Sequence, residues 1–332
     1  MAAERKQFFL GGQAVLEGVM MRSPFHYAVA VRRKSGEITS QSGVARSLLL
    51  KHKWLNIPFL RGTFALIEMM SLGLKTLRFS TDIVLQDEDA ERMAREGGEA
   101  RPMDVGKTTA WMIAASLCFA LLFKYTVFFA LPYVASRFTV SNTSSDLSKN
   151  LIEGLIRILF FVVFLSVINL SAELRRVFEY HGAEHKVVNL VEAYEELTVA
   201  NAQRHSRLHR RCGTTFLFIV LIVGILLFAL CGRHDWPTDL ALRFVLIPVI
   251  AGAAYEVIRL TRYPWAQGLA TVLLTPGMGF QYLTTREPNA EQLEVALEAM
   301  KLVLNLERET VEEFVPEAIP VRAVPAAAST FR

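Results

Sequence analysis

Cysteine is scarce: three residues in a chain of 332, too few and too scattered for a disulfide framework. Cys118 and Cys231 lie in apolar runs and read as buried or lipid-facing. Cys212 sits in a basic, polar segment, where its thiol stays reduced if that segment faces the cytoplasm. Charge is also thin, at 20% of residues with a net +4. No Lys/Arg run is long enough, or interleaved with aromatics, to form a nucleic-acid surface, so no nucleic-acid partner is expected. The segment Met1–Leu10 lacks the long apolar core of a signal peptide, so internal helices are expected to do the targeting. There is no internal repeat.

What the sequence does have is apolar residues: 52% of the chain, with a mean hydropathy of +0.31. That value falls between soluble and polytopic averages and implies a mixed protein. Four segments reach spanning length at about 1.5 Å of helix per residue. They run roughly from Thr109 to Val134, Leu151 to Leu170, Thr214 to Leu230 and Leu240 to Leu260. A fifth apolar stretch, Trp265 to Leu283, contains Pro276, Gly277 and Gly279 and predicts a broken or re-entrant segment packed on protein. The 171–213 connection carries Arg175, Arg176, Lys186, Arg204, Arg207, Arg210 and Arg211, whereas 135–150 and 231–239 hold only Arg137, Lys149 and Arg233. Basic residues collect on the cytoplasmic side, which makes the 171–213 loop and both termini cytoplasmic in a multi-pass inner-membrane protein.

The expected fold is mainly α, a polytopic helical bundle with a small N-terminal β-hairpin. Residues 1–108 form a cytoplasmic N-terminal region. Within it, Tyr27–Arg32 and Ile38–Gln41 flank Lys34-Ser35-Gly36-Glu37 as a hairpin, residues 57–80 read as an interfacial amphipathic helix, and 86–104 as a charged loop. Residues 109–283 hold the transmembrane bundle with its cytoplasmic loop, 284–314 a C-terminal cytoplasmic helix, and 315–332 a Pro/Ala-rich disordered tail. Leu293, Leu297, Met300 and Leu304 form the docking stripe of the C-terminal helix. In the second span, Glu153 and Arg157 lie one turn apart and are expected to pair.

Directly after the second span comes ELRRVFEYHGAEHKVVNLVEAYEEL, which reads as a continuation of that span as helix into the cytoplasm. At about 100° per residue, His181 and His185 share a face with Glu184 on its flank. Two imidazoles one turn apart can reach one metal ion while the intervening carboxylate serves as general base, the H-x-x-E-H arrangement of inverted zincins. Glu192 lies two turns further on, suited to be a ligand or to accept a His N–H. His209 and Cys212 stand just before the third span. The second span leaves and the third enters at the same membrane face, so the returning chain can bring both beside His181. The candidate ligand set is therefore His181, His185, His209 and Cys212, with Glu184 catalytic and Glu256 an alternative third ligand, and the donor types suit zinc or another divalent metal. The competing reading makes the same residues a hydrogen-bonded polar cluster that pins the loop to the bundle.

The chain resembles the YqhQ-like family of bacterial membrane proteins through GGQAVLEGVMMRSP at the N-terminus, YHGAEHK at 180–186, RLHRRCGTTF at 207–216, AGAAYEVIRL at 251–260 and PGMGFQYLTTREPNAEQLEVALEAM at 276–300. The resemblance implies a multi-pass inner-membrane protein carrying a domain of unknown function and a predicted metal-dependent activity. Arg210 departs from the proline expected after the histidine, which bears on the rigidity of the His209–Cys212 turn. The match also draws attention to Glu17 and Arg22 in the glycine-bearing N-terminal block, and to Arg286, as substrate-facing groups. The combined expectation is a zinc-type membrane hydrolase, with the bilayer as partner and a lipid headgroup or membrane-proximal peptide as substrate. A non-enzymatic scaffold or a lipid- or solute-handling protein is the alternative.

Overall fold

The computed structural model describes residues 10–45, 52–96, 118–139, 145–232, 234–260 and 263–314, together with 49 and 115. The expected disordered tail, the far end of the expected 86–104 loop and most of residues 109–117 lie outside them.

Four short strands open the described chain: β1 (Gly11–Val15), β2 (Gly18–Arg22), β3 (His26–Arg32) and β4 (Ile38–Val44). They form an antiparallel meander in the order β1-β2-β3-β4. The expected hairpin is its second half, with Arg32 opposite Ile38 and Tyr27 opposite Gly43. The first half was not foreseen, because the Val19-Met20-Met21 run is buried on both faces and shows no polar alternation. Val19, Met21, Ala28 and Ala30 point into one core, and Val15, Met20, Tyr27, Val29 and Val31 into another.

Helices close both faces. On one lies α1 (Leu60–Glu96), which contributes Leu72, Phe79 and Ile83. Residues 86–96 belong to this helix, correcting the expected loop. Its acidic run is held by the hairpin turn: Arg33 reaches Asp87 at 2.7 Å and Lys34 reaches Glu91 at 2.8 Å. These are cross-chain partners that a local charge pattern does not reveal.

Among the described residues, three helices are long and apolar enough to cross a membrane: α2 (Cys118–Thr139), α3 (Asp146–Ile168) and, after the α4 and α5 helices described next, α6 (Gly213–Cys231). Between α3 and α6 run α4 (Ala172–Glu192) and the short α5 (Val199–Arg204). The expected fourth span is a bent pair, α7 (Trp236–Val245) and α8 (Ile247–Arg259), meeting at 44° with a proline in the first turn of α8. The expected broken segment is instead one helix, α9 (Gln267–Thr284), with Pro276 inside it. Proline removes one intrahelical bond, and the packing of α9 against α6 through Leu274, Phe218 and Ile219 holds the helix together.

Contrary to the expectation from the sequence, α4 does not continue the second apolar helix. The chain turns at 169–171 and restarts, with the Ser171 hydroxyl capping the Leu174 N–H at 3.3 Å. The Asn169 side chain ties the corner to the end of α9 through the Leu283 carbonyl at 2.5 Å. α4 packs on β1 and β2, as does the last helix, α10 (Ala290–Phe314), on β2 and β3. The docking stripe of α10 is real: Leu293, Leu297 and Met300 are buried and Leu304 partly so, against Tyr180, Val187 and Leu190 of α4.

Candidate metal centre

The break before α4 decides where its histidines lie. An unbroken helix would carry His181 about 15 Å beyond the end of the apolar run. Restarted at Ala172, the helix keeps it beside the ends of the spans.

His181 and His185 follow one another by one turn, with ring centroids 4.5 Å apart. Each ring is oriented by a backbone carbonyl. His181 Nδ1 lies 2.8 Å from the oxygen of Thr284, the last residue of α9, and His185 Nδ1 lies 2.6 Å from that of Arg207. A carbonyl only accepts, so both Nδ1 atoms carry a hydrogen, and in that neutral tautomer each Nε2 presents a lone pair. This is the support that metal-binding histidines use. His185 Nε2 is buried without a hydrogen-bond partner among the described residues. His181 Nε2 faces Cys212 Sγ at 3.3 Å. The ligating atoms of His181, His185 and Cys212 all lie within 4.8 Å of one another.

Cys212 is placed by capping α6, its sulfur accepting the Thr214 N–H at 3.4 Å. Gln281 fixes the turn that leads to it. Its Oε1 accepts the His209 N–H at 2.8 Å, and its Nε2 donates to the His209 carbonyl at 2.7 Å and to Thr215 Oγ1 at 2.8 Å. The loop is therefore held from α9. Lys186 and Asn189 clamp the same loop from α4 through the carbonyls of Gln203, His205, Ser206 and Leu208.

Glu184 is 4% exposed, with Oε2 at 3.5 Å from His185 Nε2. Burial pushes its carboxyl above the usual range, and the opposing pull of His181, His209 and the Gly12 N–H does not cancel this. Burial likewise holds the His185 imidazole below its ordinary value, against the raising effect of Cys212, so the ring stays neutral. Gly12 of β1 is the close neighbour of Glu184: a β-carbon there would stand 2.7 Å from Glu184 Cγ and 2.5 Å from the Met20 carbonyl oxygen. The glycine-bearing block at the N-terminus thus covers the carboxylate. The positive φ in the β1–β2 turn falls on Glu17, at 52°.

Other residues singled out in the sequence lie around this group or away from it. His209 turns its Nε2 to Glu192 Oε1 at 3.3 Å, with its ring 5.8 Å from that of His185. Burial opposes ionisation of Glu192, but His209 and Arg211 outweigh it and hold the carboxyl below the usual range. Glu17 pairs with Arg176 and accepts from Tyr180 Oη at 3.4 Å. Arg22 lies on the α1 side of the sheet near Glu68, at 3.6 Å. Glu256 pairs with Arg61 of α1 and is not in the group. Arg286 reaches Asn169 Oδ1 at 3.3 Å.

Sequence reasoning missed Gln281, which carried a usable signal, as a polar side chain inside an apolar helix usually has a specific partner. Gly12, whose place in the glycine-bearing block suggests close backbone approach, does make one, against Glu184. Thr284, just after the apolar stretch, does lie beside the group, through its backbone carbonyl.

Residues 57–306 match the family described as "Protein of unknown function (DUF1385)". The chain is 36% identical over 298 residues to the "Uncharacterized protein YqhQ" of Bacillus subtilis (strain 168), covering 90% of this chain and 92% of that protein. No solved structure matches it. Strands β1 to β4 precede the family match, whereas His181, Glu184, His185 and Cys212 fall within it. The chain therefore belongs to the DUF1385 family, whose function is unknown.

Proposed function

We propose that this protein is a metal-dependent membrane enzyme of the hydrolase type, holding a zinc-type ion on His181 Nε2, His185 Nε2 and Cys212 Sγ at the cytoplasmic face. The observation that carries the reading is the pair of oriented imidazoles: two Nδ1–H groups committed to backbone carbonyls, and two Nε2 lone pairs turned toward one sulfur. Two nitrogens and a sulfur suit zinc and leave a fourth position for a reactant. A bound ion there supplies Lewis acidity to a reacting oxygen. Glu184 serves as general base, taking the proton at Oε2 while the Gly12 N–H steadies the carboxylate. Burial of this carboxyl raises its basicity, which favours proton uptake from a reactant. The basic 171–213 loop supports the cytoplasmic orientation.

A closed structural metal centre is the second reading, favoured by the burial of His185, at 1% exposed, and of Glu184. Glu184 would then complete the coordination and lock α4 to α6. Metal content of protein purified in detergent without added metal, with hydrolysis of nitrophenyl esters and phosphate esters, separates the two. One ion per chain, lost in His185→Ala, is expected. Under the enzyme reading Glu184→Gln keeps the metal and loses turnover. Under the structural reading the same variant releases the metal and lowers the melting temperature. Folded wild-type protein that neither contains nor takes up zinc, manganese or iron overturns both.

A further inference from the structure

Three observations around the candidate centre bear on what approaches it. The first is position. Thr284, which orients His181, ends α9; Cys212 caps the start of α6; and Asn169 ends α3. If these helices cross the bilayer, the centre lies at the depth of the lipid headgroups. The second is access. Glu184, His185, His209 and Cys212 are buried and β1 closes the sheet side, while His181 and Thr214 are half-buried and Gly213 is exposed. The open side is the one lined by the span ends.

The third is charge. Arg176 is spent on Glu17, Arg211 on Glu192, and Arg207 lies 3.6 Å from Glu287. Arg286 is different. Its guanidinium contacts the neutral Asn169 Oδ1 at 3.3 and 3.4 Å and no carboxylate among the described residues. Asn169 cannot turn away, since its amide donates to the carbonyls of Leu165 at 2.8 Å and Leu283. The Arg286 backbone is equally fixed: its N–H donates to the Phe178 carbonyl at 2.9 Å, and its carbonyl fits against Gly182, where a β-carbon would overlap it. A preorganised guanidinium with most of its donors uncommitted, half-buried at a membrane face, is a receiver for a phosphate.

We infer that the centre takes an amphiphile with a phosphate headgroup from the inner leaflet, and that Arg286 binds the phosphate two residues from the Thr284 that orients His181. This rests on the proposed metal-dependent reading for the chemistry, but not for the binding. The headgroup docks between the ends of α3 and α9, and its linkages approach the His181 side of the centre.

The test is equilibrium binding to the full chain in a neutral detergent, with zinc content measured on the same samples. The probes are dihexanoyl phosphatidic acid, dihexanoylglycerol and inorganic phosphate. Phosphatidic acid is expected to bind, with dihexanoylglycerol and inorganic phosphate each at least tenfold weaker. Arg286→Gln should weaken phosphatidic acid about tenfold, and Arg286→Lys should restore part of the loss. Matched melting temperatures exclude misfolding. Equal binding of dihexanoylglycerol, or an Arg286→Gln protein that binds normally, overturns the inference. Inorganic phosphate binding as tightly as the lipid overturns the lipid source. Metal-free protein that still binds phosphatidic acid through Arg286 keeps this inference and removes the metal-dependent reading. Zinc-bound protein indifferent to Arg286 does the reverse.

Discussion

Two buried polar centres sit in one bundle, and they are built in opposite ways. Toward the start of α3, Glu153 is taken from both sides: Arg157 reaches Oε1 at 2.6 Å and Arg243 reaches Oε2 at 3.0 Å, with all three side chains nearly inaccessible. Arg157 also donates to the Phe128 carbonyl at 2.9 Å. Beyond the other end of α3, His181, His185 and Cys212 gather their Nε2 and Sγ atoms, with His181 Nε2 and Cys212 Sγ 3.3 Å apart and His185 Nε2 buried without a hydrogen-bond partner among the described residues. Aromatic side chains separate the two: Phe128 meets Phe161 at 6.1 Å and Phe161 meets Phe280 at 5.5 Å. The first centre is built from paired charges and ties α7 to α3, although Arg243 Nε has no hydrogen-bond partner among the described residues. The second is built from atoms of the metal-ligand type that face one another.

Glu153→Gln breaks this comparison with the largest effect. It strands two arginines in an apolar setting, and removal of one partner of a buried ion pair costs about 3–5 kcal/mol. Thermal unfolding in detergent should show that loss, while the zinc content of the folded fraction stays at the wild-type level. A fall in metal affinity would mean that the two centres are coupled through the aromatic layer. Gly12→Ala comes next. The added methyl must displace the Glu184 side chain or β1, an overpacking worth about 1–3 kcal/mol. Calorimetry should register it without metal loss, because the three donors stand on other elements.

The smallest effect is expected at the rim. Glu192 is held below the ordinary carboxylate range, so its pairing with His209 and Arg211 stabilises the fold above its unfolded-state pKa. That contribution disappears as pH falls through the depressed native value. Glu192→Gln should flatten this part of the acid limb of a stability-versus-pH curve by less than about 1 kcal/mol, since the group is partly exposed. An unchanged acid limb would show that the pair contributes nothing.

How much of this was legible in the sequence follows from which forces are local. The three strongly apolar helices, the β3–β4 hairpin and the α10 stripe each announce themselves by period or composition. The approach of Cys212 to His181 follows from two consecutive long apolar helices, α3 and α6, whose facing ends the intervening chain joins. The direction of a ring does not follow: His209 is as near in sequence to Cys212 as a ligand need be, yet its nitrogen turns to Glu192. Strand β2, buried on both sides, has no alternation to read. The corner at Ser171 was hidden in good helix-forming sequence, and it depends on Asn169 finding a carbonyl 114 residues away. The acidic end of α1 looked like a linker because its basic partners lie on a hairpin more than fifty residues earlier.

The sheet carries a consequence for biogenesis. Its strands emerge first, but one face is covered by α4, made after two spans, and by α10, made after every span. Met21 and Ala30 meet Leu293 and Met300 across more than 260 residues of chain. During translation the early strands must therefore wait, their apolar side bare, until the closing helix leaves the ribosome. Long-range closure of this kind is slow and exposes strands to association. A ribosome halted before residue 290 would leave a chain that has its long apolar helices but lacks the helix that closes this face of its sheet.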